Sequence, residues 1–359
     1  MDGRWQMQTD GKSDIQPANP AGQQRPALWR SLRGTDIGLW AVVVALIVFF
    51  SLAAPGFLSW TNFLNVLRQM AVLAVAAFGS SFVIFSGGLD LSIGANAALS
   101  GVLSAMAARE LDFVGGAPIS WAIGLLAGAA FGWINGTIVT RFHISPIIAT
   151  LGTLTIGRGL ALLLTGGVSL FGVPEAFQGL GRGFIIPGIL PIPVGIMIVF
   201  LIASWFALRR TTLGMYVYSI GGNEEAARLS GVPVRRVKTW VYVIGGATAG
   251  LAGVILASRL GSGQAASSEG LELSVITAIV LGGASIAGGS GRIGGTLAGV
   301  LIISLLANGM NILNVPPFYQ RIVTGLALLL AVGIDQYRKR RGARQGAKPA
   351  TSTGGGSKP

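Results

Sequence analysis

Long apolar stretches recur along the chain and constrain its fold more than any other feature of the sequence. Several of them approach the roughly 20 residues that an α-helix needs to cross the hydrocarbon core of a bilayer. Only 11% of the residues are charged, against about 25% in a typical globular protein. Because a backbone in hydrocarbon must satisfy its hydrogen bonds internally, these stretches predict helices. The predicted fold class is therefore all-α, a polytopic helical membrane protein.

Hydropathy predicts about ten transmembrane helices in a membrane domain at residues 34–337. Nine, eleven or twelve spans also fit the pattern, but basic residues at both ends of the chain favour an even number. Several spans are short, which indicates helices that are tilted, broken or extended into their loops. The predicted spans are Ile37–Ala54, Met70–Ser86, Leu91–Ala108, Ile119–Thr140, Ile144–Leu164, Ile192–Leu208, Trp240–Leu256, Leu273–Ala287, Ile293–Ala307 and Ile322–Ile334.

The positions of the basic residues predict the orientation. With ten spans, 20 of the 26 Lys and Arg residues lie on one side, so both termini and the loop at 209–239 are expected in the cytoplasm. The net charge of +13 is spread over the termini and this loop, which argues against nucleic acid as a partner. Residues 1–33 and 338–359 are predicted to be disordered tails. The RKRR run at Arg338–Arg341 favours contact with anionic membrane lipid.

A short charged segment, Asn223–Pro233 (NEEAARLSGVP), lies in the 209–239 loop. Asn223 is a good N-cap, two glutamates follow at the positive end of the helix dipole, and Gly231 suits a left-handed C-terminal cap. Its apolar residues are too few and too small for a strong membrane anchor, so we interpret it as a docking helix; the alternative is a surface helix on lipid headgroups. The predicted docking residues are Asn223, Glu224, Glu225, Ala226, Arg228, Leu229 and Gly231.

Two glycine-rich stretches interrupt the apolar sequence. The first, Gly87–Gly94 (GGLDLSIG), places Asp90 beside paired glycines that let the backbone leave helical geometry. Such broken helices line substrate sites in many transporters, whereas the alternative is that Asp90 caps the next helix by accepting from the amides of Ser92 and Ile93. The second stretch, Gly282–Gly295 (GGASIAGGSGRIGG), has a similar pattern, in which an apolar run leads into paired glycines and then into a new helix of small residues. The similarity is a weak indication of an internal repeat.

Other small residues are better explained by packing. Glycines that recur at short intervals within one span allow helices to approach closely, as in many membrane proteins. We expect this role for Gly245, Gly246, Gly250 and Gly253.

The sequence excludes several kinds of chemistry. Lys is absent between Lys12 and Lys238, so no phosphate-binding loop of the G-x-x-x-x-G-K-[ST] type fits the core. The chain has no Cys, and His143 is its only His, which removes thiolate catalysis, His-based metal sites and catalytic triads. An intramembrane enzyme is therefore disfavoured, no metal or cofactor is expected, and any energy source must be supplied by another chain.

Four motifs together resemble the permease subunit of a ribose-type bacterial ABC sugar importer. The resemblance covers about residues 35–336, and the motifs agree in order and spacing. They are FSGGLDLSIGANAALSGVLSA (Phe85–Ala105), ISPIIATLGTLTIGRGLALLLTGG (Ile144–Gly167), TTLGMYVYSIGGNEEAARLSGVPVRRVK (Thr211–Lys238) and ELSVITAIVLGGASIAGGSGRIGGTLAGVLII (Glu272–Ile303).

The resemblance implies a multi-pass protein of the bacterial inner membrane that works with other subunits. The implied partners are a cytoplasmic ATPase that binds the ATP, a periplasmic sugar-binding protein and a second permease, either another copy of this chain or a paralogue. It also implies that Asn223–Gly231 is the coupling helix that enters a groove of the ATPase. The expected cargo is a ribose-like pentose or a hexose, carried inward.

Substrate contacts are expected at side chains that suit a hydroxyl-rich ligand. Each of these side chains could equally satisfy neighbouring backbone or a partner helix. The alternative function is a gradient-driven secondary carrier or channel for small polar solutes, which would place ionisable residues within the spans. The candidate pathway residues are Asp90, Ser92, Asn96, Asn308 and Asn311.

Overall fold

A computed structural model describes residues 35–111 and 115–346, with side chains described for 38–111 and 115–333. The regular secondary structure of this part of the chain is helical except for one two-stranded antiparallel hairpin, β1 (Phe184–Ile186) with β2 (Leu190–Pro191). The helices are α1 (Thr35–Ala53), α2 (Trp60–Phe85), α3 (Ile93–Glu110), α4 (Gly116–Arg141), α5 (Pro146–Thr165), α6 (Glu175–Arg182), α7 (Ile192–Arg210), α8 (Thr212–Gly222), α9 (Glu224–Leu229), α10 (Val234–Leu260), α11 (Leu271–Leu281), α12 (Ile293–Ile312) and α13 (Pro317–Gly346).

The predicted polytopic helical class is confirmed, and each of the ten predicted spans overlaps one helix, although the bounds differ. Six helices, namely α2, α4, α5, α7, α10 and α12, are long and apolar enough to cross a membrane. Helices α1, α11 and α13 carry shorter apolar stretches, so the count of ten spans stays a prediction. The predicted tail at 1–33 lies outside the described residues. Residues 338–346, assigned to the other tail, continue α13, and 347–359 again lie outside.

α10 is the central helix, packing along α2, α3 and α4. Its contact with α4 is between backbones, because glycines face each other across the helix pair. A Cβ added to Gly128 of α4 would lie 2.6 Å from the carbonyl oxygen of Gly246 and from Cα of Gly250. Side chains at these positions would push the helices apart, which is the close packing that the sequence predicts. The prediction is confirmed for Gly245, Gly246, Gly250 and Gly253, each of which has a neighbouring helix within van der Waals reach of an added Cβ.

Both glycine-rich stretches break helices, as predicted, but the second break comes earlier than expected. α11 has 11 residues and is about 16 Å long, roughly half the thickness of the hydrocarbon core. The predicted span Leu273–Ala287 is therefore wrong at its end. The helix stops because Gly282 and Gly283 follow Leu281, and Gly283 takes a positive φ of 89°. The first break is complete by Ile93, where α3 begins two residues later than predicted.

The connecting helices mark two ends of the bundle. At the α9 end, α8 and α9 link α7 to α10, and the hydroxyl of Tyr218 in α8 donates to the carbonyl of Gly291 before α12 (3.0 Å). At the α6 end, Trp60 at the start of α2 donates to the carbonyl of Gly188 in the hairpin (2.9 Å). Helices α6 and α8 and the hairpin were not predicted from the sequence.

We predict that the tails and α9 face the cytoplasm. Alkaline phosphatase fused after Arg33, Gly231 or Arg344 should be inactive, because the enzyme folds only outside the cytoplasm. A fusion after Leu58, which is exposed between α1 and α2 at the α6 end, is the positive control and should be active. Activity at any of the first three sites would contradict this orientation.

We also predict that an added methyl at the α4–α10 contact destabilises the protein. Gly128→Ala should lower the melting temperature in detergent, since overpacking costs about 1–3 kcal/mol. Gly152→Ala in α5 adds the same methyl where no heavy atom of the described residues outside its own helix turn lies within 4 Å. Both variants gain the same helix propensity, so equal melting temperatures would show that the glycine contact is not a packing constraint.

Candidate coupling helix and polar membrane sites

α9 is capped at both ends as its sequence predicts. The side chain of Asn223 accepts a hydrogen bond from the backbone N–H of Ala226 at 3.0 Å, which satisfies one of the free amides of the first turn. At the other end, Gly231 has a φ of 84°, and its N–H donates to the carbonyl of Arg228 at 3.0 Å. These caps hold a very short helix in one shape without help from a partner.

The outward face of α9 carries an ion pair beside an apolar side chain. Arg228 Nη2 donates to both carboxylate oxygens of Glu225, at 2.6 and 2.7 Å, and both side chains are mostly exposed. Leu229 is 80% exposed. Because an exposed ion pair contributes little to folding stability, this face is available for docking at small cost to the fold.

Different residues attach α9 to the bundle. Ala227 is its buried residue, and Lys238 in the first turns of α10 donates to Glu224 Oε2 at 2.8 Å. The two neighbouring glutamates thus differ in position, since Glu224 faces α10 and Glu225 faces outward. The anchoring and outward surfaces of α9 are therefore separate.

Asp90 lies buried in the non-helical segment between α2 and α3. Its Oδ1 accepts from the backbone N–H of Ser92 at 2.8 Å and from the hydroxyl of the same residue at 2.5 Å. Asn135 of α4 donates to the Ser92 hydroxyl (2.8 Å), and Tyr242 of α10 donates to the carbonyl of Leu89 (3.1 Å). The expected bond to the Ser92 amide is present, but Ser92 itself occupies the N-cap position of α3. Asp90 therefore holds a turn before the helix.

Asn96 is a packing residue in this arrangement. It is buried, and its Nδ2 donates to the carbonyls of Gly128 in α4 (3.3 Å) and Gly246 in α10 (3.0 Å). Its Oδ1 accepts from the hydroxyl of Ser100 at 3.1 Å. These contacts favour the helix-packing interpretation over the substrate-contact interpretation.

The two predicted asparagines of α12 lie far from Asp90, near the α6 end. Asn308 exchanges two amide hydrogen bonds with Asn62 of α2, at 2.9 and 3.1 Å, and so joins these helices. Asn311 is exposed and accepts from Gln320 of α13 at 2.6 Å. The structure therefore does not bring the five candidate pathway residues together.

A second polar cluster was missed by the sequence analysis. Arg158 of α5 donates to the carbonyls of Ala265 and Ser267 (2.8 Å for Ser267), in the loop that leads into α11. Glu272, near the start of α11, approaches Gly94 of α3 so closely that an added Cβ would collide with its Oε2. In the described part of the chain, Glu272 Oε2 is buried without a hydrogen-bond partner. An ionisable residue in an apolar helix is itself the signal that points to such a site.

Comparison with known proteins places this geometry in a family. Residues 62–332 match the family model described as "Branched-chain amino acid transport system / permease component". This range begins in α2 and ends in α13, and it includes α9 and both polar clusters. No solved structure matches the chain.

Curated relatives match over most of their own length. The ribose import permease protein RbsC of Bacillus subtilis (strain 168) is 44% identical over 84% of this chain and 92% of its own. RbsC of Escherichia coli (strain K12) is 40% identical over 83% and 92%. The L-arabinose ABC transporter permease protein AraH of Azospirillum brasilense is 38% identical over 91% and 93%. The chain therefore belongs to the multi-pass membrane permease family that includes the ribose-type sugar import permeases.

Proposed function

We propose that this chain is the membrane subunit of an ABC importer that carries a pentose of the ribose or arabinose type into the cell. The observation that carries the proposal is the similarity to ribose and arabinose permeases across more than four-fifths of the chain. The description of the family model names branched-chain amino acids, and these are the competing cargo. The sugar is favoured because the named relatives quoted above are all sugar permeases.

Energy for transport comes from a separate ATPase that docks on α9. The chain has no phosphate-binding loop of its own, and Lys is absent from the sequence between Lys12 and Lys238. α9 supports docking because it is capped, outward-facing and attached to the bundle by other residues than those it exposes. A rigid, pre-formed helix loses little conformational entropy on binding, which favours affinity.

The remaining partners and the orientation follow from the resemblance and the charge distribution. A periplasmic sugar-binding protein delivers the substrate at the α6 end, and a second permease copy completes the pathway. Both termini face the cytoplasm of a bacterium with the chain in its inner membrane, as the positions of the basic residues favour. No cofactor is assigned to the chain, since ATP is bound by the ATPase subunit.

The polar groups around α3 and α11 are our proposed substrate route. Asp90 and Ser92 lie in the interrupted segment before α3, and Arg158 and Glu272 lie around the loop before α11. Glu272 Oε2 has no hydrogen-bond partner among the described residues, so this carboxylate oxygen can accept a hydrogen bond from a sugar hydroxyl. The amides of Asn96 and Asn308 already bond within the protein, and Asn311 is exposed at the α12–α13 turn, so these three are proposed as structural.

Reconstitution tests the function. Purified chain in liposomes should neither hydrolyse ATP nor accumulate labelled ribose, whereas the complex with its ATPase and ribose-loaded binding protein should do both. Uptake of labelled arabinose and of labelled leucine is measured in the same way, each with the binding protein that is encoded beside the permease. Gradient-driven uptake by the chain alone would establish the secondary carrier, and ATP-dependent uptake of leucine only would contradict the sugar assignment.

We predict that reversing the charge at Glu225 prevents docking without unfolding the chain. In Glu225→Arg, membrane levels should stay normal because the residue is exposed and only supports an exposed ion pair. Co-purified ATPase should fall by about tenfold or more, because juxtaposed like charges in an interface are costly.

A charge-swapped variant separates docking from helix stability. Glu225→Arg combined with Arg228→Glu restores an ion pair within α9 but inverts the charges that a partner meets. If the ATPase binds this face, the double variant stays defective in co-purification and transport. Recovery of both in the double variant would show that α9 needs only its internal pair and is not recognised by charge.

A further inference from the structure

Three glycine-containing segments from different parts of the chain meet just before the start of α9. They are the end of α2, the end of α8 and the loop between α11 and α12. The backbone N–H of Gly289 in that loop donates to the carbonyl of Phe85, the last residue of α2, at 2.9 Å. We call the meeting point the glycine junction; it comprises Gly87, Gly221, Gly288 and Gly289.

The contacts of the glycine junction are between backbones. A Cβ added to Gly221 would collide with the carbonyl oxygen of Phe85 and the nitrogen of Gly289, so it would enter the hydrogen bond between them. One added to Gly288 would lie 2.6 Å from the nitrogen of Gly87 and 3.0 Å from Cα of Gly221. These contacts contain no flexible side chains that could absorb a displacement. A shift of one segment is therefore passed to the others, because a close-packed interior transmits strain.

Aromatic contacts strengthen the same junction. The rings of Phe85 and Tyr218 stack with centroids 5.7 Å apart and planes 20° apart. The Tyr218 hydroxyl donates to the carbonyl of Gly291 at 3.0 Å. α8 therefore holds both the end of α2 and the start of α12.

The position of the junction connects the docking helix to both polar clusters. Gly221 and Gly222 immediately precede Asn223, the N-cap of α9. Phe85 leads into the segment that contains Asp90, and the loop with Gly288 and Gly289 follows α11, which carries Glu272 near its other end.

We propose that Gly221 is a positioning residue for coupling: it transmits displacement of α9 to the two interrupted helices through the glycine junction. This inference rests on the proposed function, in which an ATPase moves α9. A methyl group at Gly221 would separate α8 from Phe85 and Gly289, whereas the cap and the ion pair of α9 are formed by other residues. The ATPase would then bind and hydrolyse ATP without driving transport.

Gly222 provides a matched control. It follows Gly221 in the same helix, and among the described residues no heavy atom outside its own helix turn lies within 4 Å of a Cβ added there. Both glycines lie at the end of α8 without a positive φ, so alanine is tolerated by the backbone at either position. The two variants differ in whether the methyl enters the junction.

The experiment compares Gly221→Ala and Gly222→Ala in the complete complex with its ATPase and ribose-loaded binding protein in proteoliposomes. Three quantities are measured: co-purified ATPase, ATP hydrolysis, and ribose accumulated per ATP hydrolysed. Gly222→Ala should match the parent in all three within about twofold, whereas Gly221→Ala should retain the ATPase but accumulate about tenfold less ribose per ATP, a typical size for coupling between sites.

Each alternative outcome is informative. If Gly221→Ala and Gly222→Ala accumulate equal amounts of ribose per ATP hydrolysed, the proposal is overturned. Loss of ATPase binding in Gly221→Ala alone would also overturn it, because the glycine would then be part of the docking site. If Gly221→Ala does not fold, Tyr218→Phe decides, because it keeps the ring stack and removes the bond to Gly291; parent-like coupling in this variant would overturn the proposal. Failure of the parent chain to bind any ATPase would instead refute the proposed function.

Discussion

The contact between the backbones of α4 and α10 is the constraint on which the other helix positions depend. Without side chains between them, the carbonyls of Gly128 and Gly246 come within reach of a single amide, that of Asn96 in α3. The Asn96 side chain therefore holds α3, α4 and α10 together, because its amide donates to backbone carbonyls of two neighbouring helices. In a bilayer, where lipid competes equally for apolar surface, such close approach and interhelical hydrogen bonding are the main sources of specificity between helices.

The features that sequence analysis predicted are those with local causes. Hydropathy located the long helices, because each must match the bilayer on its own. The caps of α9 were predictable from Asn223 and Gly231, since each acts within its own turn. The half-length of α11 was not, because hydropathy carried the predicted span on to Ala287, whereas the helix ends at Leu281 and Gly283 takes a positive φ. The hairpin after α6 was missed because its two strands are too short to show a period.

The candidate pathway residues show the limit of arguments from side-chain type. Asp90 was identified because an acidic side chain beside glycines in an apolar sequence is costly in hydrocarbon unless it has a specific role. The sequence does not show whether the amide of an asparagine faces a ligand or another helix. Asn308 bonds to Asn62, which is distant in the sequence, so this contact could not be predicted. Arg158 and Glu272 belong to separate apolar helices, so their proximity to one loop emerged only from the fold.

The separation of anchoring and outward surfaces on α9 has a consequence for how such transporters diversify. Ala227 and Glu224 hold the helix to the bundle, whereas Glu225, Arg228 and Leu229 point away from it. Substitutions on the outward side leave membrane packing intact, so under the proposed docking they change the surface that a partner meets without disturbing the bundle. On the proposed function, the choice of ATPase therefore depends on a few exposed residues of one short helix, separately from the packing of the membrane helices.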